Sequence, residues 1–254
     1  LWWDAYTKPL GYPGDFRMMN YMYDGTRRGG TMFARVMHQL GREERLAWTV
    51  TSRKQLMIDQ LGAAVLEVPG DGVVRLASIA SGPAREIEEF LLAYDGARPL
   101  HWTLIDQDER SLSYAYERLI RASHRHRDRI EIQCLYTSFR QLIATPELLD
   151  TAGNQDFIYS AGFFDYLDDA TAARVADRCV KLLRPGGRAL FGNAATGPDV
   201  HWVPEFVLDW KLTYRTREDL LRVMPTDGVR DARPLLDSSG AWHFVELWRI
   251  DPTP

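Results

Sequence analysis

A loop rich in small residues is the first place in this chain where chemistry can be read. "RLASIASGPARE" (75–86) sets Ala80, Gly82 and Ala84 between a β-branched run and a helix-like run. A nucleotide bound at such a turn needs small residues, because the backbone must come close to it, and the free N–H groups of the helix start add attraction. Asp106 stands 24 residues beyond Gly82, at the end of "HWTLID" (101–106). A carboxylate there can accept hydrogen bonds from ribose hydroxyls. The combination predicts a nucleoside-type ligand, although tight turns also take small residues for packing alone. Three positions after Gly82 stands Arg85, where a dinucleotide enzyme would place its third glycine. A nicotinamide dehydrogenase is therefore disfavoured.

Other residues have the types to act on a substrate. Tyr166 in "AGFFDYL" can orient a nucleophile, or can merely pack a helix. Asn193, at the end of "RALFGN" (188–193), can bind a substrate or make a turn. Asp165 and His201 are the available proton acceptors, and neither has the spacing of a triad. "HWVPEFVLDWKLTYR" (201–215) reads as a helix-like insertion, with Glu205, Asp209, Trp210, Tyr214 and Arg215 as its polar or aromatic candidates. Arg17, Arg27, Arg28 and Arg215 match a carboxylate bidentately, or lie on a solvated surface. Cys134 and Cys179 have no CxxC spacing, and His124 and His126 are not at i, i+4, so no metal site is expected.

These residues need a frame to hold them. The first 70 residues read as helical: Leu46, Val50, Met57, Leu61, Ala64 and Val68 keep helical spacing until Pro69-Gly70-Asp71-Gly72 stops them. The period then changes. Strands are expected at 73–79, 101–106, 130–135, 156–162 and 188–193, with helices between them near 108–123, 139–149 and 168–183. "RPGG" (184–187) is expected to end the last of these helices. The alternation predicts an α/β, doubly wound parallel sheet. A helix near 216–224 precedes "VRDARPLLD" and "WHFVELWRI", which predict a hairpin adding two antiparallel strands to the sheet edge. Two units follow: an N-terminal helical cap over 1–70 and a ligand-binding domain over 71–254.

Composition narrows the function classes. The chain has 254 residues, 45% hydrophobic and 26% charged, and a net charge of −4, which suits a globular fold and does not favour a nucleic-acid binder. There is no secretory leader pattern and no apolar run of the ~18–20 residues that span a bilayer, so no membrane partner is expected and the cytoplasm is the expected compartment. The sequence opens on Leu1 rather than Met, which leaves room for a preceding piece.

Taken together, these stretches resemble the class I S-adenosylmethionine-dependent methyltransferases over roughly residues 70 to 250. "LASIASGPARE" is similar to the glycine-rich first motif of that family, (D/E)xGxGxG. Ser78 stands at the acidic position, and Ala80 and Ala84 at the first and third glycines, departures that bear on the standard contacts to the methionine amino group. "LIDQD" (104–108) resembles the ribose-binding motif, "DFIYSAGFFDYLDD" (156–169) the strand-four motif and "LLRPGGRALFGN" (182–193) the strand-five motif. The resemblance implies S-adenosylmethionine as cofactor and S-adenosylhomocysteine as product. It implies cofactor contacts from Ser78, Ala80, Gly82, Ala84, Asp106, Gln107, Ala161, Gly162 and Phe163, with Ser138 and Phe139 after strand three beside the adenine. Ser138 is equally placed to be an ordinary N-cap. A narrower resemblance rests on "LGYPGDFRMMNYMY", "SGPAREIEEFL", "AGFFDYL" and "DWKLTYRT". These are similar to the family of 3-hydroxypalmitic acid methyl ester synthases and their relatives in secondary metabolism, some of which cyclise the cofactor.

The expected activity is methyl transfer to a small-molecule carboxylate, thioether, hydroxyl or amine. A cofactor-consuming cyclase or lyase and a non-catalytic binding module remain alternatives. A carboxylate acceptor needs no general base; an amine or hydroxyl does. The candidate catalytic residues are Tyr166, Asn193 and Asp165. The segment "LGYPGDFRMMNYMYDG" (10–25) is expected to be a lid: Pro13 and Gly14 suit a type II turn, and Asp15 can cap the helix that follows. Tyr12 would then meet the cofactor, and Arg17, Met18, Asn20 and Tyr21 the cofactor or acceptor, with Trp210, Tyr214 and Arg215 on the substrate wall. A helical cap that only packs is the competing reading.

Overall fold

A computed structural model describes residues 1–145 and 153–251, with the side chains of Phe139 and Pro198 outside that description. Four helices open the chain: α1 (Trp2–Thr7), α2 (Phe16–Tyr23), α3 (Met32–Glu43) and α4 (Arg45–Glu67). The starts of α2 and α3 follow capping chemistry. Asp15 accepts from the Met18 amide, and Thr31 from the Ala34 amide. Gly14 takes φ +70°, as the third position of a type II turn requires.

Seven strands follow: β1 (Val74–Ile79), β2 (Leu100–Asp106), β3 (Ile130–Tyr136), β4 (Gln155–Ser160), β5 (Leu183–Ala194), β6 (Val229–Leu236) and β7 (Trp242–Arg249). They form one sheet in the order β3-β2-β1-β4-β5-β7-β6. β1 to β5 pair in parallel, and β7 joins antiparallel between β5 and β6. Between the strands run α5 (Arg85–Ala93), α6 (Glu109–Ala122), α7 (Phe139–Ala144), α8 (Asp169–Leu182), α9 (Pro198–Trp202) and α10 (Arg217–Arg222). This is the expected Rossmann-like doubly wound sheet with its closing hairpin. The helix expected over 139–149 is described as far as Ala144, and its remainder from 146 lies outside the described residues.

The pleat divides the core between the two faces of the sheet. Leu76 and Leu104 pack with Met57, Leu61, Ala64 and Val65 of α4 on one side. Ile79 and Ile105 pack with Val175 and Cys179 of α8 on the other. α4 thus buries its stripe against the sheet itself. A third apolar cluster joins Met18, Met19 and Met22 of α2, Val50 of α4, and Val203, Leu208 and Trp210 of the insertion.

Two expectations differ from the structure. "RPGG" does not separate α8 from a later strand; Arg184–Gly187 sit inside β5 as an irregularity between the Gln155–Leu183 and Phe157–Arg188 pairs. The insertion is helical only at its start. α9 passes into one π turn over Val203–Val207, where the Leu208 amide reaches back to the Val203 carbonyl. Pro204 has no N–H to continue the α register, and such a slip is one way to accommodate it. Residues 209–215 run on without helix, and Arg215 bridges to Ala195. Among the described residues no helix is long and apolar enough to cross a membrane.

Candidate active site

The loop after β1 takes three left-handed steps, at Ala80 (φ 53°), Gly82 (φ 54°) and Ala84 (φ 49°). Left-handed backbone costs an alanine about 1–2 kcal/mol, and strain of this kind collects at ligand sites. The loop therefore keeps the path of a glycine-rich turn even where alanines have replaced the glycines. Asp106 pins it: one carboxylate oxygen accepts from the Gly82 amide at 2.8 Å and the other from the Asp108 amide at 2.9 Å. Burial pushes the Asp106 pKa up, and those amide bonds oppose the shift.

A cleft opens beside this loop, at the C-terminal ends of β1, β2 and β4. Of the expected cofactor residues, Tyr12, Ala80, Gly82, Asp106, Gln107, Ser138, Gly162 and Phe163 line it. The N-terminal segment closes one side. Tyr12 donates to Asp108 at 2.9 Å, and Arg110 donates to the Leu10 carbonyl at 3.4 Å.

A second cavity lies against the first. Its walls are mostly apolar: Met18, Met19 and Met22 from α2, Val50 from α4, Val203 and Trp210 from the insertion, and Trp242 from β7. Gly14, Gly162 and Tyr166 line both cavities and mark their junction. A side chain on Gly14 would meet the Tyr166 hydroxyl at 2.5 Å. That hydroxyl accepts from Trp210 Nε1 at 3.0 Å, and among the described residues nothing accepts its own proton. Partial desolvation and the neighbouring Asp165 raise the pKa of this phenol, which is 39% exposed, above its ordinary value, so at neutral pH Tyr166 is a donor and not a base. Asp165 is 1% exposed and lines the apolar cavity. Its Oδ1 is buried without a partner among the described residues.

No protein-family model and no curated protein matches the sequence. Solved structures do match the fold. A protein of Bordetella parapertussis, described as a possible exported protein, has a TM-score of 0.66 at 18% identity, over 93% of this chain and 79% of that one. Magnesium protoporphyrin IX methyltransferase of Synechocystis, with bound S-adenosylhomocysteine, has a TM-score of 0.61 at 12% identity, over 96% of both chains. The N-methyltransferase NodS of Bradyrhizobium japonicum, also with S-adenosylhomocysteine, has a TM-score of 0.51 at 20% identity, over 78% of this chain and 87% of that one. The fold is that of the class I methyltransferases.

Several residues singled out in the sequence do not reach either cavity of this methyltransferase fold. Ser78 is 2% exposed inside β1, and Ala84 is fully buried under α5. Ala161 lends its carbonyl to Trp242 Nε1 at 2.9 Å. Arg17 faces Asp4 at 3.7 Å, and Tyr21 packs at the margin of the Met18–Met22 cluster, against His38 and Arg28. Asn20 donates back to the Phe16 carbonyl within α2. Tyr214 stacks on His201 at 3.8 Å. Asn193 and Arg215 hold each other at 2.7 Å, behind the cavities. Phe139 opens α7, and its side chain lies outside the described residues.

Other lining residues were not singled out by the sequence. Met19 and Met22 read as ordinary members of an apolar stripe. Arg53 reads as a charge on a long helix, yet it lines the apolar cavity and is 8% exposed. Spacing marks it: Arg53 stands three residues after Val50 and four before Met57, a lone charge on the apolar stripe of α4.

The carboxyl of Asp165 has a testable electrostatic consequence. Burial raises its pKa from 3.8 to about 6, against the opposing charges of Arg53 and Arg215. Between those values the folded chain binds the proton more tightly than the unfolded chain. This contribution to stability is complete below the lower value and lost as pH rises through the upper one. Chemical denaturation should show Asp165→Asn gaining on the wild type by about 3 kcal/mol between pH ~4 and ~8. A difference that stays flat over that range would show that the carboxyl titrates normally.

Proposed function

We propose that this chain binds S-adenosylmethionine in the cleft beside Ala80, Gly82 and Asp106, and transfers its methyl group to a small acceptor held in the apolar cavity. The observation that carries this reading is the meeting of the two cavities at Gly14, Gly162 and Tyr166. The cleft suits the cofactor: the left-handed loop lets backbone approach closely, and Asp106 keeps lone pairs free for ribose hydroxyls beside its two amide bonds. The cofactor supplies a methyl group already activated on a sulfonium.

The protein's share is alignment and the exclusion of water, and alignment can contribute several kcal/mol. Residues 1–70 act as a helical cap on the ligand-binding domain of 71–254, latched by the Tyr12–Asp108 bond. Tyr166 donates its free proton to the acceptor at the junction. Asp165 takes the proton from an acceptor that must lose one, and its raised pKa suits that role near neutral pH. Asn193 and Arg215 act through the position of this loop, since Arg215 binds the Phe164 and Leu167 carbonyls on either side of Asp165 and Tyr166. The narrower likeness to the 3-hydroxypalmitic acid methyl ester synthases belongs to the same proposal, with a place in secondary metabolism and the cytoplasm. Its support is the four sequence stretches that carry it.

Calorimetry should show S-adenosylhomocysteine binding to the purified chain. An acceptor screen with S-adenosylmethionine should release S-adenosylhomocysteine. Absence of binding overturns the proposal. Release of methylthioadenosine with no acceptor present would replace methyl transfer by cleavage of the cofactor.

A further inference from the structure

Three arginines are buried among the described residues: Arg53 (8% exposed), Arg188 (6%) and Arg215 (1%). Two of them are matched by acids. Arg188 pairs with Glu246, and Arg215 with Asp169. Arg53 is not: no carboxylate among the described residues lies within ion-pair distance of it. Its guanidinium lies over the Trp242 ring at 4.3 Å, and its Nη2 reaches the Met19 sulfur at 3.7 Å, a weak acceptor. Its Nε is buried without a partner. A buried guanidinium with five donors and one weak acceptor is costly unless something else completes it.

The position says what would complete it. Arg53 lines the apolar cavity, and a side chain on Gly162 would run into its guanidinium. Gly162 is one of the three residues shared with the cofactor cleft. The unfilled fork thus stands at the junction. Asp165 lines the same cavity and lowers its capacity for negative charge, which favours a singly charged, planar anion over a phosphate. A guanidinium matches a carboxylate with two parallel hydrogen bonds.

We propose that Arg53 is the receptor for a ligand carboxylate where the two cavities meet. Two ligands can bring that group there: the amino-acid arm of the cofactor, entering over Gly162, or an acceptor lying among the methionines. The first source rests on the cofactor reading given above; the second does not.

The test uses titration calorimetry on the full chain and on Arg53→Gln and Arg53→Lys, with two pairs of probes. S-Adenosylhomocysteine carries the carboxylate and methylthioadenosine lacks the whole arm. 4-Phenylbutyrate carries a carboxylate on an apolar body and 4-phenylbutanol does not. Arg53→Gln should weaken at least one carboxylate ligand about tenfold or more while its uncharged counterpart changes less than about threefold. Arg53→Lys, which keeps the charge without the fork, should recover part of that loss. Loss confined to S-adenosylhomocysteine assigns the carboxylate to the cofactor, and loss confined to 4-phenylbutyrate assigns it to the acceptor. Unchanged affinity for both carboxylates overturns the proposal. So does equal weakening of charged and uncharged partners, which would mark a packing role, and so does a wild-type chain that binds neither carboxylate. A wild type that ignores both nucleosides refutes the cofactor reading alone, because the 4-phenylbutyrate pair still reports on Arg53.

Discussion

Replacing Arg215 with alanine is expected to cost about 3–5 kcal/mol of stability, because buried acceptors stripped of a donor cost ~1–3 kcal/mol each and the void adds to that. For a chain of this size that corresponds to a fall of roughly 6–20 °C in the thermal midpoint. Arg215 is 1% exposed and its guanidinium ties four groups together. It donates to the Phe164 and Leu167 carbonyls at 2.8 Å each, to Asn193 Oδ1 at 2.7 Å, and to Asp169 at 2.8 and 3.0 Å. Alanine leaves the Leu167 carbonyl and Asn193 Oδ1 without their donor, leaves the Phe164 carbonyl only the Leu167 amide, and opens a void beside Phe164. Lysine should fail almost as badly, because one ammonium cannot serve acceptors arranged around a planar fork. The measurement is a melting curve followed by circular dichroism. A shift below ~2 °C accompanied by loss of ligand binding would return Arg215 to the substrate-binding role that its sequence position suggests.

Arg215 also shows where reading the sequence stops. The order of strands and helices follows from periodicity, and periodicity is local. The loop at 75–86 and its distance to Asp106 are legible for the same reason: a strand, a turn and the next strand fix both within one βαβ unit. Asp15 and Ser138 are legible as caps, since each acts within three residues of itself. Arg215 and Asn193 are 22 residues apart, and each alone looks like a polar group at the ligand end of the sheet. Only the return of the chain after the π turn brings them together, and together they use up each other's capacity to bind a ligand. Arg53 is the reverse case. Its charge suggests a solvated residue, while its place between Val50 and Met57 on the apolar stripe of α4 points inward. The packing of α4 beneath Trp242 and Gly162 removes it from water without bringing a carboxylate of the described residues into ion-pair distance. Burial of a single side chain depends on contacts across the whole fold, so polar residues at the site were harder to place than the strands that carry it.

The largest expected effect on binding is at Asp106. Asp106→Ala should weaken S-adenosylhomocysteine at least a hundredfold. Two ribose hydroxyls donating to one carboxylate contribute about 1.5–3 kcal/mol each, and both bonds are lost together. Part of the loss could arise indirectly, because Asp106 also accepts from the Gly82 and Asp108 amides that shape the loop. A cycle separates the two contributions. An analogue of S-adenosylhomocysteine without the ribose hydroxyls should bind the wild type as weakly as Asp106→Ala binds the parent ligand, and Asp106→Ala should weaken the analogue little further. If the variant weakens parent and analogue equally, Asp106 serves the loop and not the ribose. If it leaves the parent within about threefold, the cleft holds its ligand by other groups, and the reading of the 75–86 loop as a nucleoside site fails with it. The left-handed alanines give a reason to expect the first result. Ala80 and Ala84 hold a conformation that costs each of them energy, and the Asp106–Gly82 bond fixes the residue between them.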